Sequence, residues 1–475
     1  MNSNKKSFLK TSSYAVFSQV VSLCCGLVTS LLLPKILGIE QFGYWQYFFL
    51  CSSYVGLLHF GFSDGIYLAL GGKKFSEINR KQYYPQLLLV SFLQMVIALL
   101  VALYSYLFLK GAYQVVFYFL GVYIIIENVY KLLSFVLMAT DKMRYYSKTV
   151  VIDKVTFLGL LFVFLVLFNK DSFVNVIFSY LCARFIALAF VSTCFGRFFD
   201  FTVTSNLFVR NNLRATCGNM IVGISLTISN LLSTFIIGSG RFFVEHNWGI
   251  SVFAKISFAV SLSMFVLTFI SQIGLVLFPY LCRMEKDKQR QMLDMLTFVI
   301  GLFAMVCFIG FVPLSLIIKT WIPKYVDSLS YLMILCPIAL FETRMVLVFG
   351  TYFKTFRKQI VLLKINLASV LFAVFFYYLS SNVVNCINML VMGMLVSIML
   401  RSYLCQFYLY RYLNVKLDRF VICMEILTSV FMILAYNLFA SMLLFSLVYV
   451  VSLTILALVR KEKIKYSYLL TRWRN

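Results

Sequence analysis

Histidine is nearly missing from this chain: 475 residues hold two, His59 inside an apolar run and His246 in a short polar connection, too far apart to share a site. No H-E-x-x-H, G-x-S-x-G, Walker or D-x-D pattern stands in for them, which removes zinc proteases, hydrolases, ATPases and simple glycosyltransferases. No catalytic set is expected, and the chain reads as a non-enzyme. Charge is equally sparse, at 12% of residues against about 25% in a soluble domain. Six prolines and 22 glycines are too few for the loops of a large aqueous protein, so no extramembrane domain is expected. The 12 cysteines include no C-x-x-C pair, and Cys24, Cys25, Cys51, Cys307 and Cys336 all fall in apolar runs. They read as small core residues, and neither a metal nor a cofactor is expected.

Hydrophobic residues make up 62% of the chain. A bilayer core about 30 Å thick takes about 20 apolar residues as helix, because the backbone must satisfy itself. Fourteen segments meet or approach that length: 14–33, 44–70, 84–109, 113–138, 149–168, 174–194, 217–237, 250–278, 292–318, 329–349, 363–379, 383–400, 420–439 and 441–459. The first follows Lys5, Lys6 and Lys10 but is too long, and too poor in small residues at its end, for a cleaved leader. The least secure connections are the tight turns at Ser380–Asn382 and Phe439–Ser441; misreading both would leave twelve helices.

Basic residues test the count, since Lys and Arg in short loops collect on the cytosolic side. With the N-terminus inside, 30 of the 42 fall in cytosolic connections, among them Arg401 and six in the tail from Arg460 to Arg474. Only six (Lys35, Lys110, Lys170, Arg241, Lys319, Lys324) fall outside, and six lie within spans. The net charge of +25 therefore marks topology, and no nucleic-acid partner is expected, because the cations sit in short clusters rather than on one folded face. Both termini are expected in the cytosol. The connection from Gly196 to Thr216 is the longest and follows six helices, so a second six-helix block restarts in the same orientation. The expected architecture is all-α: an N-terminal lobe over 1–196, a C-terminal lobe over 197–410, and two appended helices with a basic tail over 411–475.

Two motifs go further. Leu37 begins LGIEQFGYW and His59 begins HFGFSDGIYLALGGKK; Arg241 begins RFFVEHNWGISVFAKISFAVSLSM, in a segment closing with VLFPYL around Pro279. The second unit echoes the first, with Phe42-Gly43 matched by Trp248-Gly249. These segments resemble the oligosaccharide-lipid flippases of the polysaccharide-transporter branch in the multidrug/oligosaccharidyl-lipid/polysaccharide exporter superfamily. The resemblance implies a two-lobed helical protein with a central cavity. It further implies that a polyprenyl-pyrophosphate-linked oligosaccharide repeat unit crosses the bacterial inner membrane by alternating access. Membrane lipids and a polysaccharide polymerase are the other partners it implies. By their own chemistry, Gly38 and Gly43 bracket a turn, while Gly61, Gly65, Gly71 and Gly72 let a neighbouring helix come close or let their own helix bend.

A charge near the bilayer centre costs about 2.5 to 3.5 kcal/mol, so those present face a partner or water. The candidates are the cations Lys131, Lys154, Arg184, Lys255 and Arg344 and the acids Asp64, Glu127, Asp153 and Glu342; Lys364 and Glu425 are set aside as near-interface residues able to snorkel. Glu127 and Lys131 stand i, i+4 and are expected to pair. Asp153 with Lys154, and Glu342 with Arg344, point about 100° and 200° apart, so their partners are expected on other helices or in water. Arg184 has no acid within a turn; it is either held by Asp64 or Glu127 from another helix, or faces a cavity where its planar fork binds a pyrophosphate. Lys255 is the matching cation of the other lobe, unless it snorkels to outer headgroups. Five cations against four acids leave one positive charge for an anionic cargo, and Asp64, Glu127 and Asp153 are further candidates for a coupling proton or sodium.

Three alternatives compete. A cation-coupled drug exporter of the same superfamily would have an apolar, acid-bearing cavity, and a peptidoglycan-precursor flippase would share the lipid-pyrophosphate cargo. A membrane polysaccharide polymerase or ligase would need a large outer loop, whereas the longest expected here is Ser239–Gly249.

Overall fold

A backbone in hydrocarbon must make its hydrogen bonds within itself, and an apolar chain without a closed barrel does so as helix. The computed structural model describes residues 2–71, 73–167, 171–196, 210–282 and 284–416, with 422–423, 425–427 and 429–430 beyond them; among these there is no strand. The helices are α1 (Asn2–Ile36), α2 (Ile39–Ser52), α3 (Phe62–Leu70), α4 (Arg80–Phe108), α5 (Gly111–Ala139), α6 (Met143–Leu161), α7 (Phe173–Phe195) and α8 (Arg210–Cys282). They continue as α9 (Lys286–Ile309), α10 (Phe311–Trp321), α11 (Ser328–Leu335), α12 (Ile338–Arg344), α13 (Gly350–Thr355), α14 (Gln359–Tyr378) and α15 (Ile387–Tyr412). Eight described stretches are long and apolar enough to cross a membrane, so the protein is an all-α, multi-pass membrane protein. Each of the first twelve expected spans is mostly helix, with breaks inside 44–70, 292–318 and 329–349. The spans expected at 420–439 and 441–459, and the basic tail, lie outside the described residues apart from the short pieces between 422 and 430.

The chain divides into two compact units, Met1–Thr234 and Phe235–Asn475. In the first, α3, α4, α5 and α7 close on a core that includes Phe62, Leu133, Leu137 and Val191. In the second, α15 and the segment around α13 enclose Val348, Phe349, Phe353, Cys405 and Leu409. Of the cysteines expected as small core residues, Cys25 is buried, Cys51 and Cys336 are half-buried and Cys24 is exposed. The tight turn expected near Ser380–Asn382 is real: a π-helical turn (Leu379–Val383) ends α14, Asn385 takes a positive φ of 50°, and the Cys386 N–H bonds back to the Ser380 carbonyl.

The second span departs from expectation. Instead of one helix over 44–70 it holds α2, a 3-10 turn (Val55–His59) and α3, broken where Phe60 (φ 50°) and Gly61 (φ 81°) are both left-handed. A break frees carbonyls that lipid cannot bond, and side chains from the neighbouring helices take them up. Gln94 donates to the Leu58 carbonyl (2.9 Å) and Asn128 to that of Val55 (3.4 Å), while Asn128 also donates to Gln94 (2.5 Å). The glycines permit a close crossing as well as the turn. A Cβ on Gly65 would stand 2.0 Å from the Asn219 carbonyl oxygen, and one on Gly61 2.4 Å from the Ile224 nitrogen, so α3 lies backbone to backbone on α8.

The expected outer loop Ser239–Gly249 is also helix, interrupted only at Gly249 (φ 80°, ψ 176°). Arg241, counted as an outer-loop cation, is buried; its Nε donates to Ser257 Oγ (3.0 Å) and its guanidinium lies 5.2 Å from the Phe253 ring. Residues equally far before and after Gly249 thus touch, so the chain doubles back at that one residue. The corresponding Gly43 sits buried inside α2, and the motif pair therefore shares sequence without sharing backbone geometry.

Gly65→Ala is expected to lower stability by about 1–3 kcal/mol, since backbone atoms cannot yield as a side-chain tip does. Gly26→Ala, with nothing within 4 Å of the added Cβ, is expected to be neutral or stabilising. Thermal unfolding of the two purified variants in detergent compares them.

Candidate functional site

The break in the second span organises the first cluster. His59 is fully buried, and its Nδ1 accepts the Gly61 N–H at 3.1 Å. Its Nε2 lies 3.1 Å from Lys131 Nζ and 3.9 Å from Asp64 Oδ2, and that oxygen accepts from Thr227 Oγ1 at 2.5 Å. A neutral imidazole accepting at Nδ1 carries its proton on Nε2, so Lys131 and His59 form a hydrogen bond only when one of the two nitrogens gives a proton up. The expected Glu127–Lys131 pair is not formed. Lys131 turns to an imidazole that helical spacing could not place beside it, and Glu127 goes elsewhere.

Glu127 goes to Arg184. The guanidinium, on α7, has Nε 2.9 Å from Glu127 Oε2 of α5 and Nη1 3.4 Å from Asp153 Oδ2 of α6; Nη2 donates to Tyr180 Oη at 3.2 Å. Of the two acids weighed as its partner, Glu127 is used and Asp64 is not. Lys154 Nζ lies 3.3 Å from Asp153 Oδ2, so these neighbours meet despite the angle between them, through the length of the lysine stem. Aromatic rings close the cluster. The guanidinium stands 4.5 Å from the Tyr130 ring and 5.7 Å from that of Tyr180, while Trp45, Phe48 and Phe157 pack around Tyr180. The LGIEQFGYW motif serves this packing: it supplies Trp45, one helical turn before Phe48, and its Gln41 side chain accepts the Phe173 N–H (3.0 Å) beside the Ser172 cap of α7.

The second unit holds two fully buried arginines. Arg344 bonds Glu425 through both terminal nitrogens, Nη1 to Oε2 at 2.6 Å, and donates to the Thr297 carbonyl at 2.9 Å. Arg401 bonds Glu342. Two expectations fall here: Glu425 does not snorkel but is 1% exposed, and Arg401 is no cytosolic-loop cation but lies inside α15 at 0%. Each had been assigned to an interface from its distance along the chain, and each partner comes from a remote helix. Glu342 and Arg344, about 200° apart on one helix, find partners in different directions. Lys364 is exposed, as an interface residue should be. Lys255 neither snorkels nor stands alone: its Nζ is 2.5 Å from Asp327 Oδ2.

Against this geometry, residues 8–285, more than half of the chain, match the family model described as polysaccharide biosynthesis protein. The chain belongs to that family. No curated protein matches it significantly. Among solved structures, it resembles a multidrug-resistance MATE-family transporter of the MOP superfamily in the inward-facing conformation (14% identity, TM-score 0.63, covering 84% of this chain and 94% of that one). It also resembles a variant of the Vibrio cholerae MATE transporter VcmN (15% identity, TM-score 0.55, covering 87% and 98%). This member of the polysaccharide biosynthesis family therefore shares the fold of those transporters.

Among the described residues of this family member, Lys154, Arg184, Lys255, Arg344 and Arg401 lie within ion-pair distance of Asp153, Glu127, Asp327, Glu425 and Glu342, while Lys131 and Asp64 flank His59. Arg241 is buried as well, so these additional partners do not remove the expected excess of one positive charge. Removing one partner of a buried pair strands the other charge, at about 3–5 kcal/mol. Arg184→Ala is expected to lose that much stability, and the triple change Arg184→Ala, Glu127→Gln, Asp153→Asn to recover most of it, as read by melting temperature and monodispersity in detergent.

Proposed function

We propose that this protein is a flippase for polyprenyl-pyrophosphate-linked oligosaccharide repeat units in the biosynthesis of a surface polysaccharide. The observation that carries the reading is membership of a polysaccharide biosynthesis family joined to a transporter fold. In this reading it sits in the bacterial inner membrane with both termini in the cytosol, beside a polysaccharide polymerase. Lobes over 1–196 and 197–410 alternate in access, with 411–475 as an appendage.

The charge arrangement supports an anionic cargo held briefly. A diphosphate is engaged by exchange: cations already paired inside the protein swing from a carboxylate or imidazole to phosphate oxygens and return on release. Lys131 is the foremost candidate, since it is part-exposed and has no carboxylate within ion-pair distance among the described residues. Lys154 and Arg184 follow within the first unit, and Lys255 in the second. Arg344 enters as the holder of Glu425 rather than as a phosphate contact, because its guanidinium is shut away and satisfied. Glu127, Asp153 and Glu342 act as charge partners, and Asp64, beside the shared His59–Lys131 proton, is where a coupling proton or ion would act. A drug exporter fits less well: a cationic drug seeks an unpaired carboxylate, and Asp64, Glu127, Asp153, Asp327, Glu342 and Glu425 each have a protein cation, imidazole or hydroxyl beside them.

Deleting the gene is expected to accumulate lipid-linked repeat units on the cytosolic leaflet and to abolish surface polysaccharide; normal export in the deletion strain would refute the flippase reading. Complementation with Lys131→Gln, at matched expression, is expected to restore flux at roughly one tenth or less, the loss of one charge-assisted contact.

A further inference from the structure

The Arg184 cluster leaves unused a separate cavity of about 420 Å³ in the first unit, formed by α1, α6 and α7. That volume lies within the roughly 300–1,000 Å³ of ligand pockets. Its walls are apolar (Phe17, Val151, Ile152, Phe190), and Phe17 is 61% exposed, so the bay opens sideways. No carboxylate is among its lining residues. Lys148 lines it, and Ser147, 3% exposed, lines it with a hydroxyl that has no hydrogen-bond partner among the described residues. Arg144 stands one helical turn before Lys148, its guanidinium 5.0 Å from the ring of Tyr14, another lining residue. Of the acids nearest in sequence, Asp153 is held by Lys154 and Arg184, and Asp141 accepts the Phe75 N–H at 2.9 Å. Arg144 and Lys148 belong to a connection that the distribution of basic residues places in the cytosol, the side on which the leaflet carries anionic lipid.

An apolar bay with two cations and an unsatisfied hydroxyl at its rim is complementary to one chemistry, an anionic headgroup on a hydrocarbon chain. We propose that the α1–α6–α7 bay binds an anionic glycerophospholipid of the cytosolic leaflet. Its phosphate lies between Lys148 and Arg144 and accepts from Ser147 Oγ, and one acyl chain runs along Phe17, Val151, Ile152 and Phe190. The site is distinct from the proposed cargo contacts, so it stands or falls independently of the flippase reading.

The test is native mass spectrometry of the full-length protein released from nanodiscs of phosphatidylcholine mixed with phosphatidylglycerol. The wild type is expected to retain phosphatidylglycerol selectively. Arg144→Gln with Lys148→Gln is expected to weaken that retention about 30-fold, from about 1 kcal/mol for each cation near the headgroups. Ile152→Trp, which fills the bay and leaves the cations, is expected to lose it too. Retention unchanged in the double variant would overturn the proposal. Loss in the double variant with none in Ile152→Trp would do so as well, since it would mean adsorption at a basic surface. A preference for polyprenyl phosphate over phosphatidylglycerol in competition would overturn the choice of ligand.

Discussion

Nothing polar in this protein can lean on water within the hydrocarbon, so every charge and every open backbone group there must be answered by another part of the chain. That single constraint accounts for most of what holds the helices in place. The carbonyls freed in the broken second span are met by Gln94 and Asn128. Arg184 gathers a carboxylate from each of two other helices, and Arg344 and Arg401 each take one from a distant segment. Apolar contact fills the space between helices, but lipid offers that equally well. The polar pairs decide which helices sit together.

In the proposed flippase reading, the same constraint bears on transport. A cavity with a bare surplus cation would hold a diphosphate too firmly and be hard to bury when empty, whereas cations already matched by carboxylates are stable in the empty protein. An incoming anion then competes with an internal partner, and the net affinity is a difference between two similar interactions. Such a site binds weakly and selectively. His59 and Lys131, 3.1 Å apart, stand beside Asp64, whose hydrogen bond with Thr227 ties the cluster to the contact of α3 with α8.

The broken second span and the doubled-back α8 show a second way to place polar groups at depth. Gly61 and Gly249 both take positive φ. In the first case the break turns an imidazole inward and lets two backbones touch; in the second it brings Arg241 onto Ser257 across the bend. At Gly61 protein buries the irregular backbone, whereas the bend at Gly249 is exposed.

Composition and periodicity by themselves determined the all-α, multi-pass class and the positions of the first twelve spans. A run of some 20 apolar residues has one way to satisfy its backbone in lipid, and that requirement is local. The motifs at Leu37 and His59 likewise pointed to the family. Partnership was not legible, because an ion pair depends on which helix faces which, and spacing along one helix says nothing of its neighbours. Hence Glu127 and Lys131, ideally spaced, part company, while Arg344 and Glu425, 81 residues apart, are bonded. Arg401 and Glu425 looked like interface residues for the same reason: nearness to a span's end is visible in sequence, whereas burial is a property of what packs against it. Only the tertiary structure decided which internal charges meet, since a pair belongs to packed helices and the chain records only its members.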